Sequence, residues 1–156
     1  MADTASLQLS AVEIRDLREI AGTMIPADAT LGIPGADDPA ILADAVKSVG
    51  CDLALIREAL AAISVKSDGV FADMDRDARE ALIDAYCKMG GPAAAALGRL
   101  VASAYYRDDR VLIALGLEAR APFPKGHELE QGDWSLLDTV RKRAPFWRDD
   151  RAAAKE

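Results

Sequence analysis

The side chains that could perform acid–base or nucleophilic chemistry are few in this chain of 156 residues. His127 is the only histidine, which excludes a site of several histidines and leaves one candidate base for a Ser–His or Cys–His scheme. It lies in KGHELE, a polar stretch that is typical of a surface loop. The sequence contains neither a GxxxxGK[ST] phosphate loop nor a GxSxG nucleophile elbow. The residues therefore favour a protein without catalytic or metal-binding side chains.

Paired acids occur twice, as Asp37-Asp38 and as Asp108-Asp109, each just before a stretch with apolar residues at helical spacing. Aspartate at that position accepts hydrogen bonds from the first amides of a helix and complements the helix dipole. A calcium loop needs oxygen ligands at alternating positions around a glycine, which neither pair provides. The same argument applies to DMDRDARE, residues 73–80. These acids are predicted to cap helices.

The two cysteines, Cys51 and Cys87, lie far apart and form no CxxC motif. Both fall on stretches that we predict to be amphipathic helices, where a free cysteine commonly packs as a small apolar residue. We expect buried free thiols. A disulfide between them stays open, because spacing alone does not decide it.

The helices that must position these side chains begin at clear signals. Ser10 and Glu13 form a capping box, and apolar residues including Val12 then recur at helical spacing, which predicts a helix over about 11–24. Pro26 ends that helix. The stretch MIPADATLGIPGADDPAI, which follows, is a turn-rich loop, and Asp38 before a proline begins the second helix.

Further apolar stripes predict a mainly helical chain. They begin near Leu53, Asp75, Pro92 and Asp108, with closing glycines after several of them, and a short helix is expected over Ser135–Arg143. Met89 is expected to face inward. Tyr105 continues a core stripe and Tyr106 points away, an arrangement that favours packing over an aromatic cofactor site. Because no useful strand pattern occurs, the predicted fold class is all-α, a compact bundle of about six to seven helices with a long irregular C-terminal segment.

The chain is expected to form a single helical domain, with a core of about 10–117 and an extended aromatic-bearing segment over 118–156. Its net charge of −7 argues against a nucleic-acid partner, which needs a basic face. The sequence contains no run of about 18 apolar residues, so no membrane span is predicted.

Large aromatic residues concentrate in the C-terminal segment, at Phe123, Trp134, Phe146 and Trp147. Outside the main helices such residues are typical interface anchors, because they bury much area at low entropic cost. Packing across their own domain stays equally open. The loop over residues 25–36, which we call the proline loop, likewise has two interpretations. It is either a fixed backbone that meets a partner or a stiff connection between helices.

The proline loop resembles a known family. The matching residues are Ile25, Pro26, Asp28, Pro34, Gly35 and Ala36. Together with SAYYRDDRVLIALG (103–116) and GDWSLLDTVRKR (132–143), they resemble the gluconate 2-dehydrogenase subunit 3 family, over about residues 7–147. Members are the small, or gamma, subunits of flavin-dependent sugar and alcohol dehydrogenases, and the last segment resembles a branch associated with large GMC-type flavoproteins.

The resemblance implies a non-catalytic helical subunit that binds, stabilises or matures a large FAD-dependent chain. FAD is expected in that partner and no cofactor or metal in this chain, while an electron-accepting cytochrome is a further expected partner. The predicted contact residues lie in the proline loop and the C-terminal segment. They are Ile25, Pro26, Pro34, Gly35, Phe123, Trp134, Phe146 and Trp147.

Two departures from the family and two alternatives accompany this prediction. Relatives often carry a twin-arginine signal, and MADTASLQLS shows none, which predicts a cytoplasmic complex; co-export to the periplasm or removal of a signal is the alternative. The ending APFWRDDRAAAKE (144–156) also differs from the ending of better-known family members. The alternative functions are a small enzyme that acts through Asp28, His127 or a tyrosine, and a self-associating structural protein.

Overall fold

The computed structural model describes residues 8–69, 71–121, 123, 125–126, 128–144 and 146. The all-α prediction is confirmed: the only β pairing among these residues is an isolated bridge between Asp28 and Ile33. Their seven α-helices are α1 (Ala11–Met24), α2 (Pro39–Ser48), α3 (Leu53–Lys66), α4 (Arg76–Met89), α5 (Pro92–Tyr105), α6 (Asp109–Ala114) and α7 (Asp138–Arg141). Short 3-10 helices lie at Gly50–Asp52, Phe71–Asp73 and Trp134–Leu137.

The chain divides into two units, Met1–Arg120 and Ala121–Glu156. The first, which we call the helical unit, contains α1 to α6 and all the buried core residues. The second, which we call the C-terminal unit, contains the 3-10 helix Trp134–Leu137 and α7, and each of its described residues is exposed. Buried apolar packing is thus confined, among the described residues, to the helical unit.

The predicted capping box of α1 is present. The Oγ atom of Ser10 accepts from the Glu13 amide at 3.3 Å, and Glu13 Oε2 accepts from the Ser10 amide at 2.7 Å. The Nε atom of Arg57 on α3 also donates to Glu13 Oε1, at 3.0 Å. The pKa of Glu13 is lowered, first by the Ser10 amide and then by other contacts that include Arg57, against the opposing effect of burial. The cap of α1 is therefore also linked to α3.

The paired acids cap helices as predicted. Asp38 accepts from the Ala40 amide at the start of α2, at 3.0 Å, and Asp108 accepts from the Arg110 amide at the start of α6, at 2.9 Å. Asp75 caps α4 in the same way. Gly90 closes α4 with a φ of 72°, a left-handed conformation that glycine adopts without steric cost.

The core of the helical unit is built on α5, which packs against α2, α3 and α4, while α1 packs against α3 and α4. The buried residues of α5 combine alanines with larger side chains. They are Ala93, Ala94, Ala96, Leu97, Leu100, Val101, Ala104 and Tyr105. Small side chains let neighbouring helices approach closely. Tyr105 is buried and Tyr106 is exposed, as predicted, and their rings meet edge to face with centroids 5.2 Å apart.

Two predictions within the helices are wrong, one about Met89 and one about the last helix. Met89, the last residue of α4, is 64% exposed, where the chain leaves the helix at Gly90. Over Ser135–Arg143 the structure has two short pieces, a 3-10 helix and α7, in place of one helix.

Both cysteines are exposed free thiols, which corrects the expectation of burial. Cys51 lies in the 3-10 helix Gly50–Asp52, a break between α2 and α3 that the apolar pattern did not reveal. Cys87 lies beside the buried Tyr86, on the neighbouring face of α4. Its pKa is raised, first by desolvation and then by Asp84, so the neutral thiol is favoured.

Candidate partner-binding surface

The proline loop, residues 25–36, is held by its own hydrogen bonds. Asp28 and Ile33 exchange both backbone bonds at 3.1 Å, and the Ala36 amide donates to the Ile25 carbonyl at 2.8 Å. Asp28 Oδ1 accepts from the Thr30 amide at 2.7 Å and the Leu31 amide at 3.1 Å. These bonds close the loop at its base, its middle and its tip, so the irregular sequence has one fixed path.

The carboxyl of Asp28 organises the loop. The Leu31 amide and then the Thr30 amide lower its pKa, because hydrogen bonds to the carboxylate favour the charged form. An aspartate in this position turns the backbone without any ligand.

Close packing fixes the C-terminal end of the loop. A Cβ atom on Gly35 would lie 2.4 Å from Asp37 Oδ1 and 2.9 Å from the Ala27 nitrogen. A Cβ atom on Gly22 of α1 would lie 3.0 Å from the Cβ and Cγ atoms of Asp37. Two glycines from different parts of the chain therefore make room for one aspartate. Sequence reasoning missed Gly22, whose position in a helix gives no sign of this packing.

Arg110 links the loop end to α6. Its Nη2 and Nη1 atoms donate to Asp38 at 2.8 and 3.1 Å, and its Nε and Nη2 atoms donate to Asp108 at 2.9 and 2.8 Å. Both aspartates cap helices, so one guanidinium joins the starts of α2 and α6. The hydrogen bonds from Arg110 are the largest cause that lowers the pKa of each carboxyl. The sequence pattern predicted the caps and not the arginine between them.

The predicted contact residues of the loop differ in exposure. Pro26 is exposed, Ile25 and Pro34 are half-buried, and Gly35 is buried. Leu31, which the sequence reasoning did not select, is exposed at the loop tip. Pro26 and Leu31 are thus the larger apolar residues on the exposed side of the loop, while Gly35 serves its close packing.

The C-terminal unit exposes its aromatic residues. Phe123 and Phe146 are 86% and 93% exposed, and Trp134 is 62% exposed. Trp147 and His127 lie outside the described residues. Further exposed apolar side chains that the prediction omitted are Leu129, Leu136, Leu137 and Val140. For Leu137 and Val140 the sequence did offer a signal. Together with Trp134 they recur every three residues, a spacing that places side chains on one face of a 3-10 helix.

The short helical pieces of the C-terminal unit are fixed by local contacts. Asp133 accepts from the Ser135 amide at 3.0 Å and from the Ser135 hydroxyl at 2.6 Å, and both bonds lower its pKa. Arg141 and Asp138 pair at 3.4 Å, three residues apart on α7. Such contacts define a turn of helix without burying any apolar surface.

Three comparisons with known proteins add no relative, since no family model, curated protein or solved structure matches this chain. The family resemblance therefore stays a prediction from the residues quoted above. Among the described residues, no helix is both long and apolar enough to cross a lipid bilayer. The same part of the chain contains no group of three or more His, Cys, Asp or Glu side chains placed to hold a metal ion.

Proposed function

We propose that this chain is a non-catalytic small subunit that binds a large FAD-dependent dehydrogenase of sugars or alcohols and supports its stability or maturation. The observation that carries the proposal is the exposure of the C-terminal unit. The resemblance at the proline loop supplies the class of partner.

The C-terminal unit leaves a large apolar area in water. Its exposed apolar side chains are Phe123, Leu129, Trp134, Leu136, Leu137, Val140 and Phe146. Burying such surface is worth about 25 cal/mol per Å², and large exposed apolar patches on soluble proteins commonly mark interaction sites. A segment whose described residues are all exposed gains this free energy on docking against another surface. We assign Phe123, Trp134 and Phe146 as the anchors, together with Trp147, which directly follows Phe146 in sequence.

The proline loop supports the proposal in a different way. Its backbone is already fixed by internal hydrogen bonds, so little conformational entropy remains to be lost when a partner contacts it. Pro26 and Leu31 offer an apolar outer surface on this rigid support. The loop suits a contact that sets orientation, and the C-terminal unit suits one that supplies buried area.

In the proposed complex the partner holds FAD, and no residue of this chain is assigned to the cofactor. Electrons leave the partner for a cytochrome or another acceptor. The proposed location is the cytoplasm, with co-export to the periplasm as the alternative. Fractionation of cells that express both chains distinguishes the two locations.

Copurification tests the proposal. The tagged chain is expressed together with the products of the genes that flank its own, and the eluate is examined for a second chain and for flavin absorbance. We expect both with the unaltered chain and a loss of both with the double variant Phe123→Ser, Trp134→Ser. Val65→Ser is the matched control, because it removes an exposed apolar side chain from α3 of the helical unit. Recovery of free monomer alone, with or without co-expression, contradicts the proposal.

Sedimentation velocity separates the proposed hetero-complex from self-association. A stable homo-oligomer of the isolated chain that the same double variant dissociates would favour the structural alternative. Turnover of a metabolite by the isolated chain, lost on replacement of His127, would favour the enzyme.

A further inference from the structure

A cavity of about 310 Å³ opens in the helical unit between α1, α3 and the 3-10 helix Phe71–Asp73. Its volume is at the lower end of the range of small-molecule pockets. The buried side chains of Ile20, Leu60, Ile63 and Phe71 form its floor. The floor is therefore apolar and belongs to the rigid core, so it can take a hydrocarbon group without rearrangement.

The one polar side chain buried beside this floor has its hydrogen bond already. The Ser67 hydroxyl lies 3.0 Å from the Ile63 carbonyl, to which it donates, and 3.1 Å from the Ser64 carbonyl. The Ser67 hydroxyl therefore needs no bond from a ligand. Only the rim offers charge.

The rim carries more negative than positive charge. Asp16, Glu19 and Asp73 line it, with Arg15 as the cation among them. Asp16 pairs with Arg15 at 3.1 Å, and Glu19 pairs with Arg79 at 3.3 Å.

Asp73 differs from the other two acids. Its carboxylate makes no hydrogen bond or ion pair within the described part of the chain. The cavity thus has an apolar floor and an unpaired carboxylate at its mouth.

We propose that this cavity binds an alkylammonium group, a primary amine on a short hydrocarbon stem. The stem would lie on the apolar floor, and the ammonium would meet the exposed carboxylate of Asp73, the one rim acid without an arginine partner among the described residues. A carboxylate ligand of the same length would be repelled at the rim, and a neutral one would lack the charge-assisted bond. This assignment is independent of the proposed function. The ammonium belongs to a free amine or to a lysine of another protein.

The test measures binding of n-pentylamine, n-pentanol and pentanoate to the full chain at neutral pH, by amide chemical-shift changes in NMR spectra. We expect the amine to bind about twofold to fivefold more tightly than the alcohol, because Asp73 is exposed. The carboxylate should bind most weakly, and the shifts should centre on α1, α3 and residues 71–73. Equal affinities, tightest binding of pentanoate, no binding by the amine, or shifts elsewhere would overturn the assignment.

Two pairs of variants locate the site. Asp73→Asn should weaken pentylamine binding by about twofold to fivefold and leave pentanol binding unchanged. Asp77→Asn, on α4 outside the cavity lining, should change neither. Ala72→Phe, at an exposed lining position, should block both ligands with the core intact, and the exposed Ala61→Phe on α3 should not. Unaltered amine binding by both Asp73→Asn and Ala72→Phe would contradict the proposal.

A fourth probe identifies the source of the ammonium. Nα-acetyl-lysine methylamide carries the same alkylammonium on a peptide backbone. Binding as tight as that of pentylamine, with the same shifts, indicates that the site takes a lysine from another protein. Rejection of this probe with retention of pentylamine indicates a free amine. Both results require the amine to bind first, so both support the site.

Discussion

The proline loop and the C-terminal unit are both irregular stretches with prolines and glycines, yet they differ in how their backbone is held and in how much of them is buried. The loop closes on itself through paired backbone bonds, and Ala36 at its end is buried in the core. The C-terminal unit has short helical pieces with local caps, and all its described residues are exposed.

The difference teaches that irregular sequence does not by itself predict a loosely held backbone. The loop is fixed because backbone pairs and the Asp28 carboxylate satisfy its polar groups, and because Gly35 allows close packing against Asp37 and Ala27. The C-terminal unit lacks buried neighbours among the described residues, so its apolar side chains stay available to another surface.

The largest expected effect on stability comes from comparing a buried leucine of the helical unit with an exposed leucine of the C-terminal unit. Leu97→Ala on α5 removes a fully buried side chain and should lower the free energy of unfolding by about 2–5 kcal/mol. Leu136→Ala in the C-terminal unit removes an exposed one and should change it by less than about 0.5 kcal/mol. Urea unfolding measures both. Similar losses would mean that the C-terminal unit packs as a core does.

The next effect compares two glycines. Gly35→Ala places a Cβ atom against Asp37 and the Ala27 backbone and should destabilise the chain by about 1–3 kcal/mol. Gly132→Ala, in the C-terminal unit, has no neighbouring atom within 4 Å of the added group and should be close to neutral. Thermal unfolding of the pair checks the contrast, and a stable Gly35→Ala variant would show that the loop is not tightly packed.

A smaller effect concerns pH. The folded pKa values of Asp38 and Asp108 lie below the ordinary 3.8, chiefly because of Arg110. Between the folded and unfolded values the unfolded chain binds more protons, so the free energy of unfolding falls as pH drops through that window. Arg110→Gln should flatten this acid dependence.

Urea unfolding over a series of acidic pH values measures the slope, and NMR titration of the two carboxyls should show both pKa values rising toward 3.8 in Arg110→Gln. Arg18→Gln is the control, since it removes the same charge from an exposed arginine of α1. An acid dependence that is equal in the unaltered chain and in Arg110→Gln would rule out the linkage through Arg110.

The smallest effect on stability is expected for Trp134→Ser. Its side chain is 62% exposed, so the free energy of unfolding should change by less than about 0.5 kcal/mol. The same variant should reduce copurification of the flavoprotein. A large loss of stability in the isolated chain would instead indicate that Trp134 packs within its own chain.

Much of the fold could be predicted because the signals are local. A capping box at Ser10 and Glu13, aspartates before apolar stripes and a glycine after α4 act within one turn of chain, and each lies where predicted. The side chains whose burial was predicted wrongly are Cys51, Cys87 and Met89, which lie at or near helix ends. There apolar character gives no information about which neighbours are present.

The candidate surface was predictable only in part. The aromatic residues of the C-terminal segment are evident in the sequence, and their exposure is not, since the same residues could have packed across their own core. The cavity was not predictable, because Ile20, Leu60 and Phe71 come from three separate elements.

The sequence by itself determined where α1, α2, α4, α5 and α6 begin and the apolar stripe of α5, because these follow from backbone hydrogen bonding and side-chain spacing over a few residues. Only the tertiary structure decided that Gly22 and Gly35 make room for Asp37, that Arg110 joins two helix caps, and which apolar residues stay in water. Those features depend on contacts between residues far apart in the chain, where sequence spacing carries no geometric information.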